Sequence, residues 1–330
     1  MLLKLAILGC AHIHMSDAAE VIEADPRARV TGLWDHDAAR AQHWARRLAA
    51  PRAARPEEAF ADADAVIVMS ETVRHPALVS AASAAGKDLF VEKPLGRTAA
   101  EAAEMRAAIE RAGVRFHTGY LLRDVDAHRR IRELIAAGSL GTLVRARGRF
   151  AHPGALAGWF DDFPWTVDRE AAGFGGFADE GVHVIDLLTW ALGRSIVAGT
   201  AEIGRVTAGA KIDERGEALV RLEDGTPATI AAGWTEPALT AELCVTGTQG
   251  EARVFAGELI VEAPGCELRE PASAPDSRQP ISHFIAALTG ESTRPLVTAR
   301  EAETHCQILE GLYRAAAEGV WLRLEHPLAS

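Results

Sequence analysis

Two groups of residues carry the types and spacing that chemistry needs. The first is Asp179, His183 and Asp186, with the imidazole four residues after one carboxylate and three before the other. On a helix such positions project from roughly one face. A carboxylate beside an imidazole holds its tautomer and can raise its pKa, which suits it to accept and return a proton near neutral pH. The second group is Glu92-Lys93-Pro94, where a cation directly follows the apolar run Asp88 to Val91. Lys93 would then stand at the carboxyl end of a strand, where open α/β sheets bind ligands. A rival pattern is His12-Ile13-His14. Two imidazoles at the end of a first strand also suit metal-dependent hydrolases on (β/α)₈ barrels, in which a divalent ion activates water, with His117 and His183 as further ligands.

The elements that must position these residues favour a nucleotide-binding sheet. Leu2 to Leu8 is a short apolar run that ends at Gly9, and a polar, alanine-rich segment follows from Ser16 to Ala24. Arg29 to Trp34 is a second strand ending at Asp35, and the runs Ala65 to Met69, Asp88 to Val91 and Val114 to Thr118 continue the series. Helical segments lie between them: Ala38 to Ala49, Pro76 to Ala85 with Gly86 as its stop, and Thr98 to Ala112 with Glu101 as a capping-box partner. Strands alternating with helices imply parallel βαβ units buried on both faces. The first strand-to-helix turn is Gly9-Cys10-Ala11-His12-Ile13-His14, which keeps only the first glycine of the dinucleotide fingerprint. A turn there approaches a pyrophosphate, and the helix behind it offers free N–H groups. Asp35, at the end of the second strand, would accept hydrogen bonds from a ribose and repel a 2′-phosphate, which favours NAD over NADP; Arg40 would soften that bias.

After Tyr120 the pattern changes. Thr142 to Phe150, Ala198 to Ala208, Glu217 to Leu222, Pro227 to Trp234 and Ala241 to Thr246 are strand-like, and short turns separate several of them. Consecutive strands with short turns indicate antiparallel pairing, and eight regular βα units are not evident, which weighs against the barrel hydrolase. A late helix opens at Thr298, with Glu301 as its capping-box partner, and runs toward Gly319. We expect two domains, 1–120 for a dinucleotide and 121–330 for the substrate.

The motifs Glu92-Lys93-Pro94 and Asp179-x-Gly181-x-His183-x-x-Asp186, together with Gly9 and Asp35, resemble the glucose–fructose oxidoreductase / inositol dehydrogenase / rhizopine catabolism (Gfo/Idh/MocA) family over nearly the whole chain. The resemblance implies a Rossmann domain followed by an α/β domain with a large, open, mainly antiparallel sheet. It implies NAD(P)-dependent oxidation of a secondary hydroxyl of a sugar, polyol or related cyclic compound, or the reverse. His183 would exchange the hydroxyl proton, Lys93 would steady the oxygen, and Asp179 would orient the pair. The loop residues Gly9, Ala11, His12 and Ile13, with Asp35, Ser70, His75, Glu92 and Lys93, would meet the cofactor. Ser70 to His75 occupies the place of a family T-P-N-x-x-H motif, with Glu71 in place of proline. Arg123 and Trp165 would join Lys93, Asp179 and His183 around the substrate. Arg123 is equally readable as a domain-linking ion pair, and the aromatics Trp159, Phe160, Phe163 and Trp165 as packing. No metal is expected. By the same resemblance, a homodimer or homotetramer is expected.

Composition narrows the field further. The 330 residues are 48% hydrophobic and 25% charged, with a formal net charge of -11. That balance suits a globular protein and argues against a general nucleic-acid binder, whose affinity comes from clustered Lys and Arg. Four cysteines without CxxC spacing suggest a reducing compartment. No apolar run is long enough to span a bilayer, and the start lacks the marks of a secretion signal; a cytoplasmic protein is expected. A non-catalytic sensor of NAD or sugar is the remaining alternative, and it would have no need of the proton acceptor His183.

Overall fold

The structure is a computed structural model that describes residues 2–324. Its first half runs β1 (Leu3–Leu8), α1 (Met15–Ala24), β2 (Ala28–Trp34), α2 (Ala38–Arg47), α3 (Pro56–Ala59), β3 (Ala65–Val68), α4 (His75–Ala84), β4 (Asp88–Val91), α5 (Ala99–Ala112) and β5 (Phe116–Thr118). The strands form one parallel sheet in the order β2-β1-β3-β4-β5. β3 is Ala-Val-Ile-Val and buried throughout, as expected of a strand covered by helices on both faces. The strand order reverses beside β1, and ligands of doubly wound sheets bind at such a switch point.

The second half runs α6 (Asp126–Ala136), β6 (Leu143–Ala151), α7 (Arg169–Ala172), α8 (Gly176–Leu192), β7 (Ile196–Gly204), β8 (Arg215–Leu222), β9 (Pro227–Gly233), β10 (Thr240–Gly247), β11 (Glu251–Phe255), β12 (Glu258–Ala263), β13 (Cys266–Pro271), α9 (Arg278–Leu288), α10 (Ala299–Glu318) and β14 (Leu322–Arg323). Nine strands make a second sheet, β13-β12-β11-β10-β6-β9-β8-β7-β14, antiparallel except where β6 and β9 run side by side. Burial alternates strictly along β8, so one face of the sheet packs inward and the other is open. The inward face meets α8, whose Val182, Val184, Ile185, Leu187 and Leu188 join the core with Ile230, Leu243 and Val245. The sequence reading missed β11, β12 and β13, where charged residues interrupt the apolar ones.

The chain returns to the first sheet at its end. Ile281, Phe284 and Ile285 of α9 enter the core beneath β1 with Leu5, Ile7 and Ile67. Ala299, Ala302 and Cys306 of α10 join the opposite core, with Val66, Val68 and Met105. Full burial of each large apolar side chain favours the fold by about 1.5–3 kcal/mol, and α10 ties the two sheets together, because its Ile308, Leu309 and Leu312 also enter the core of the second sheet. No described helix is long and apolar enough to cross a membrane.

Candidate active site

The turn after β1 is shaped by Gly9, which sits at φ +79° with its amide bonded to the Trp34 carbonyl at 2.7 Å. A Cβ there would fall 2.4 Å from the Ser70 Cβ, so only glycine lets β1 and the loop after β3 touch. Ser70 is thus buried beneath Gly9 and lines neither of the two cavities that meet at this loop. Ala11 and His12 both donate their amides to the Met69 carbonyl, at 2.9 and 3.0 Å. The loop leads into the N-terminus of α1, where the cap residue His14 offers no side-chain cap. This leaves the helix end open to an anion.

Two cavities meet at this loop, sharing His12, Ile13, Ser16 and Trp165. One, of about 350 Å³, is walled by Cys10, Ala11, Arg40, Trp44 and Glu71. Asp35 is close by but takes a different part from the one its position suggested. Its side chain is fully buried, and Arg40 grips both oxygens, Nε to Oδ2 at 2.8 Å and a terminal nitrogen to Oδ1 at 2.9 Å. The Cys10 and Asp37 amides fill the remaining positions at 2.6 and 2.7 Å. Arg40 also donates to Glu71 Oε1 at 2.9 Å. Asp35 therefore acts on this cavity through Arg40, and a ribose would have to displace that guanidinium to reach it.

The other cavity, of about 440 Å³, holds Lys93, Asp179 and His183 together, with Trp165 on its wall. Lys93 Nζ donates to Asp179 Oδ1 at 2.6 Å and to the Asp179 carbonyl at 3.2 Å. Trp234 Nε1 donates to Asp179 Oδ2 at 2.9 Å. Burial alone would neutralise both partners, but the pairing wins: it holds the Asp179 carboxyl well below its usual range and raises the Lys93 ammonium. The expected Asp179–His183 hydrogen bond does not form; the Asp179 carboxylate is bonded to Lys93 and Trp234 instead. His183 Nδ1 is buried without a hydrogen-bond partner. Burial, reinforced by the charge of Lys93, pushes the imidazole well below its ordinary pKa rather than above it. His183 is thus neutral and able to receive a proton.

Asp186 and Arg123 lie elsewhere. Asp186 points to the rear of α8, where Arg123 Nε reaches it at 2.8 Å and also contacts Glu301 at 2.8 Å through a terminal nitrogen. Arg123 therefore ties the segment after β5 to α8 and α10, and lines a separate cavity with Tyr120 and Trp190. His75 is buried as well, its Nδ1 3.0 Å from the Leu95 carbonyl. It secures the loop that carries Lys93 and does not line either of the two cavities at the glycine loop. Glu92 performs a related service: its Oε2 accepts the Lys93 amide at 3.1 Å and its Oε1 stands 3.4 Å from His14 Nδ1. Trp165 bridges the halves, donating Nε1 to the Ala11 carbonyl at 2.8 Å.

Several residues that shape the site escaped the sequence reading. Asp213 accepts the amides of Gly175 and Phe177 at 3.2 and 3.0 Å, and the Tyr313 hydroxyl at 2.8 Å. It caps α8 from a loop between strands, which no local motif could reveal. His152 and Trp234 follow the ends of β6 and β9, and Glu180 adjoins Asp179; strand-end position and adjacency were the available signals.

Among the described residues, two clusters have metal-like composition, His12 with His14 and Glu92, and His152 with Asp179 and Glu180. In each, one imidazole has its lone pair spent inward. The His14 amide donates to His12 Nδ1 at 3.2 Å, and the Gly154 amide to His152 Nδ1 at 2.9 Å. The proton then sits on the Nε2 that faces the carboxylate, so neither ring presents an acceptor to an ion there. His117, a further ligand in the hydrolase reading, is instead an acceptor for the Val297 amide at 3.1 Å.

Residues 3–120 match a family model described as an oxidoreductase family with an NAD-binding Rossmann fold, and residues 128–253 match the GFO/IDH/MocA C-terminal domain. Among curated relatives, the 1,5-anhydro-D-fructose reductase of Ensifer adhaerens is 38% identical over 133 residues, which span 40% of this chain and 38% of that protein. The scyllo-inositol 2-dehydrogenase (NAD(+)) of Bacillus subtilis is 26% identical over 267 residues, 78% of this chain and 74% of that one. Among solved structures, GenD2 from gentamicin A biosynthesis in complex with NAD superposes with a TM-score of 0.82 at 26% identity, covering 98% of this chain and 97% of that one.

Proposed function

The chain belongs to the Gfo/Idh/MocA family of NAD(P)-dependent oxidoreductases, and on that premise we propose that it oxidises a secondary hydroxyl of a sugar, polyol or related cyclic compound, or reduces the matching ketone. One observation carries the reading: a neutral His183 with an unpartnered nitrogen shares a cavity with the tightly paired Lys93 and Asp179. The names of the relatives, an anhydrofructose reductase and an inositol dehydrogenase, support that substrate range. When bound, the nicotinamide supplies the hydride acceptor or donor. His183 takes the hydroxyl proton. Lys93, held protonated by Asp179, hydrogen-bonds the same oxygen and stabilises the negative charge that develops on it. Asp179 and Trp234 keep the ammonium aimed. In the reverse direction His183 returns the proton. The hydrolase alternative loses its ground, since His12 and His14 serve the glycine loop of an oxidoreductase fold.

The two linked cavities and the uncapped start of α1 suit a dinucleotide, with the adenosine half beside Arg40 and Trp44. NAD is the preferred form in this reading. A 2′-phosphate would need Arg40, and Asp35 and Glu71 already set two carboxylates against its single charge. The Glu71→Gln variant should therefore bind NADPH about tenfold better relative to NADH, as expected from removing one charged contact; an unchanged ratio would remove Glu71 from selectivity. Residues 1–120 form the cofactor unit and 121–330 the substrate unit, with α10 clasping both. The open face of the second sheet suits a homodimer or homotetramer, and the free thiols of Cys10, Cys244, Cys266 and Cys306 suit the cytoplasm.

Titration with NADH, followed by tryptophan fluorescence, tests the premise, because Trp44 and Trp165 wall the proposed adenosine cavity. Saturable quenching is expected, followed by NADH formation when polyols are supplied with NAD. No binding, together with no nicotinamide released on denaturation, would overturn the proposal.

A further inference from the structure

The separate cavity on the rear side of α8 has a volume of about 460 Å³. It lies where the two units join. β5 gives His117, the segment after it gives Tyr120 and Arg123, α6 gives Arg132, α8 gives Trp190, and the turn before α10 gives Val297. The carboxylates that line it are already matched. Arg123 meets Glu301 at 2.8 Å, Arg130 meets Glu133 at 3.3 Å, and Arg294 pairs with Asp124. What is left over is donor capacity. His117 is 4% exposed, and its Nδ1 accepts the Val297 amide, so the proton sits on Nε2, which is buried without a partner. The ionisable groups that act on this ring, His283, Arg123 and Arg294, all line the cavity. The Tyr120 hydroxyl is likewise buried without a partner. Two guanidinium groups gather over the Trp190 ring, Arg132 at 4.6 Å and Arg123 at 5.8 Å from its centroid. Arg123 has its carboxylates, but among the described residues Arg132 has none.

We propose that this cavity is a second binding site, which takes a small organic anion, a carboxylate or a phosphate ester. The oxygens of the anion accept from His117 Nε2, the Tyr120 hydroxyl and the Arg132 guanidinium, and Trp190, Leu296 and Val297 cover its carbon body. Buried polar groups without partners are costly, and one anion satisfies all three. A neutral ligand would leave Arg132 unmatched beside Arg123, and a metal cation would meet two guanidinium groups and an N–H. The Tyr120 ring also stands edge-on to His183, with centroids 6.2 Å apart. The occupant thus lies one aromatic ring away from the proton acceptor, outside the reacting cavity.

Succinate and methyl phosphate test the site, since neither carries a secondary hydroxyl for the front cavity to hold. Each is titrated by calorimetry into the full chain loaded with NADH, at constant ionic strength. Saturable binding of one anion per chain is expected for at least one of them, and the tighter of the two tells a carboxylate site from a phosphate-ester site. Arg132→Gln should weaken that binding about tenfold, through loss of a charged contact. Tyr120→Phe, which keeps the ring, should weaken it about threefold, through loss of a neutral hydrogen bond. Lys93→Met, in the front cavity, should leave the affinity for the anion unchanged. No saturable binding of either anion would overturn the inference, as would binding that Arg132→Gln and Tyr120→Phe both leave untouched. So would binding that Lys93→Met abolishes, or equal binding of succinamide, the neutral counterpart of succinate.

Discussion

The two sides of α8 carry similar residues and use them differently. On its rear side, Asp186 is fully buried, and its charge is met by Arg123, which is itself shared with Glu301. Thr189 Oγ1 lies 3.2 Å from His305 Nε2, closing the network against α10. On its front side, Asp179 is equally engaged by Lys93 and Trp234, but His183 keeps a nitrogen without a partner. Buried charge that is matched by charge holds elements together. Buried polar capacity left over, facing a cavity, is what a ligand can use. The same helix therefore serves as a brace on one side and a reactive wall on the other.

The largest effects should come from the front. Lys93→Met or His183→Asn should lower turnover by about 10²–10⁴-fold, as expected for loss of an oxyanion donor or an acid–base group, while NADH affinity stays within a few-fold. Steady-state assays at 340 nm with a separate NADH titration would check this; near-normal turnover in either variant would break the contrast between the two sides. On the rear, Arg123→Met should cost about 3–5 kcal/mol of stability, since it strands a buried carboxylate. Denaturant unfolding would measure that loss. A collapse of turnover in folded protein without loss of stability would place Arg123 in the chemistry.

A smaller effect separates the sides by pH. His12 is pushed down to about 3 by burial, from an ordinary 6.5, and His183 is lowered by burial as well. The unfolded chain binds protons on these histidines that the folded chain refuses. Their contribution to stability is present above pH 6.5 and is lost as pH falls below it, by at most about 1.4 kcal/mol per pH unit for each group. Asp186 works in the opposite direction. Burial raises it from 3.8 to about 6, so its contribution is present below pH 3.8 and lost as pH rises through 6. Hence His12→Gln should flatten the acid loss of stability between pH 6.5 and 4, and Asp186→Asn should steepen it. Unfolding midpoints across that range would show both slopes, and equal slopes in the two variants would contradict the assignment.

Local patterns were legible where local physics decides. The strands of the first sheet are short apolar runs, four of them closed by glycine or acid and the third by Ser70, and all five formed. α10 begins at Thr298 with the full reciprocal cap to Glu301. At Thr98 the same signal was half right. The threonine does cap Glu101, but the Glu101 carboxylate turns to Arg97, accepting its amide at 2.9 Å. β11 and β12 were missed because Glu251 and Arg253 alternate with apolar residues in a pattern that gains meaning only once the strands pair.

The sequence by itself determined the parallel first sheet, the strand-rich second half, the glycine loop and the two motifs that bring Lys93, Asp179 and His183 into play. These follow from hydrophobic period and from turn and cap chemistry, which act over a few residues. Only the tertiary structure decided the partners. Lys93 rather than His183 meets Asp179, Arg40 rather than an open ribose site meets Asp35, Arg123 braces the rear of α8, and His152 meets Glu180. Each of those choices joins atoms that the fold brings within hydrogen-bonding distance, and buried groups take whichever partner best offsets the loss of water. That competition is settled by three-dimensional proximity, which spacing along the chain does not encode.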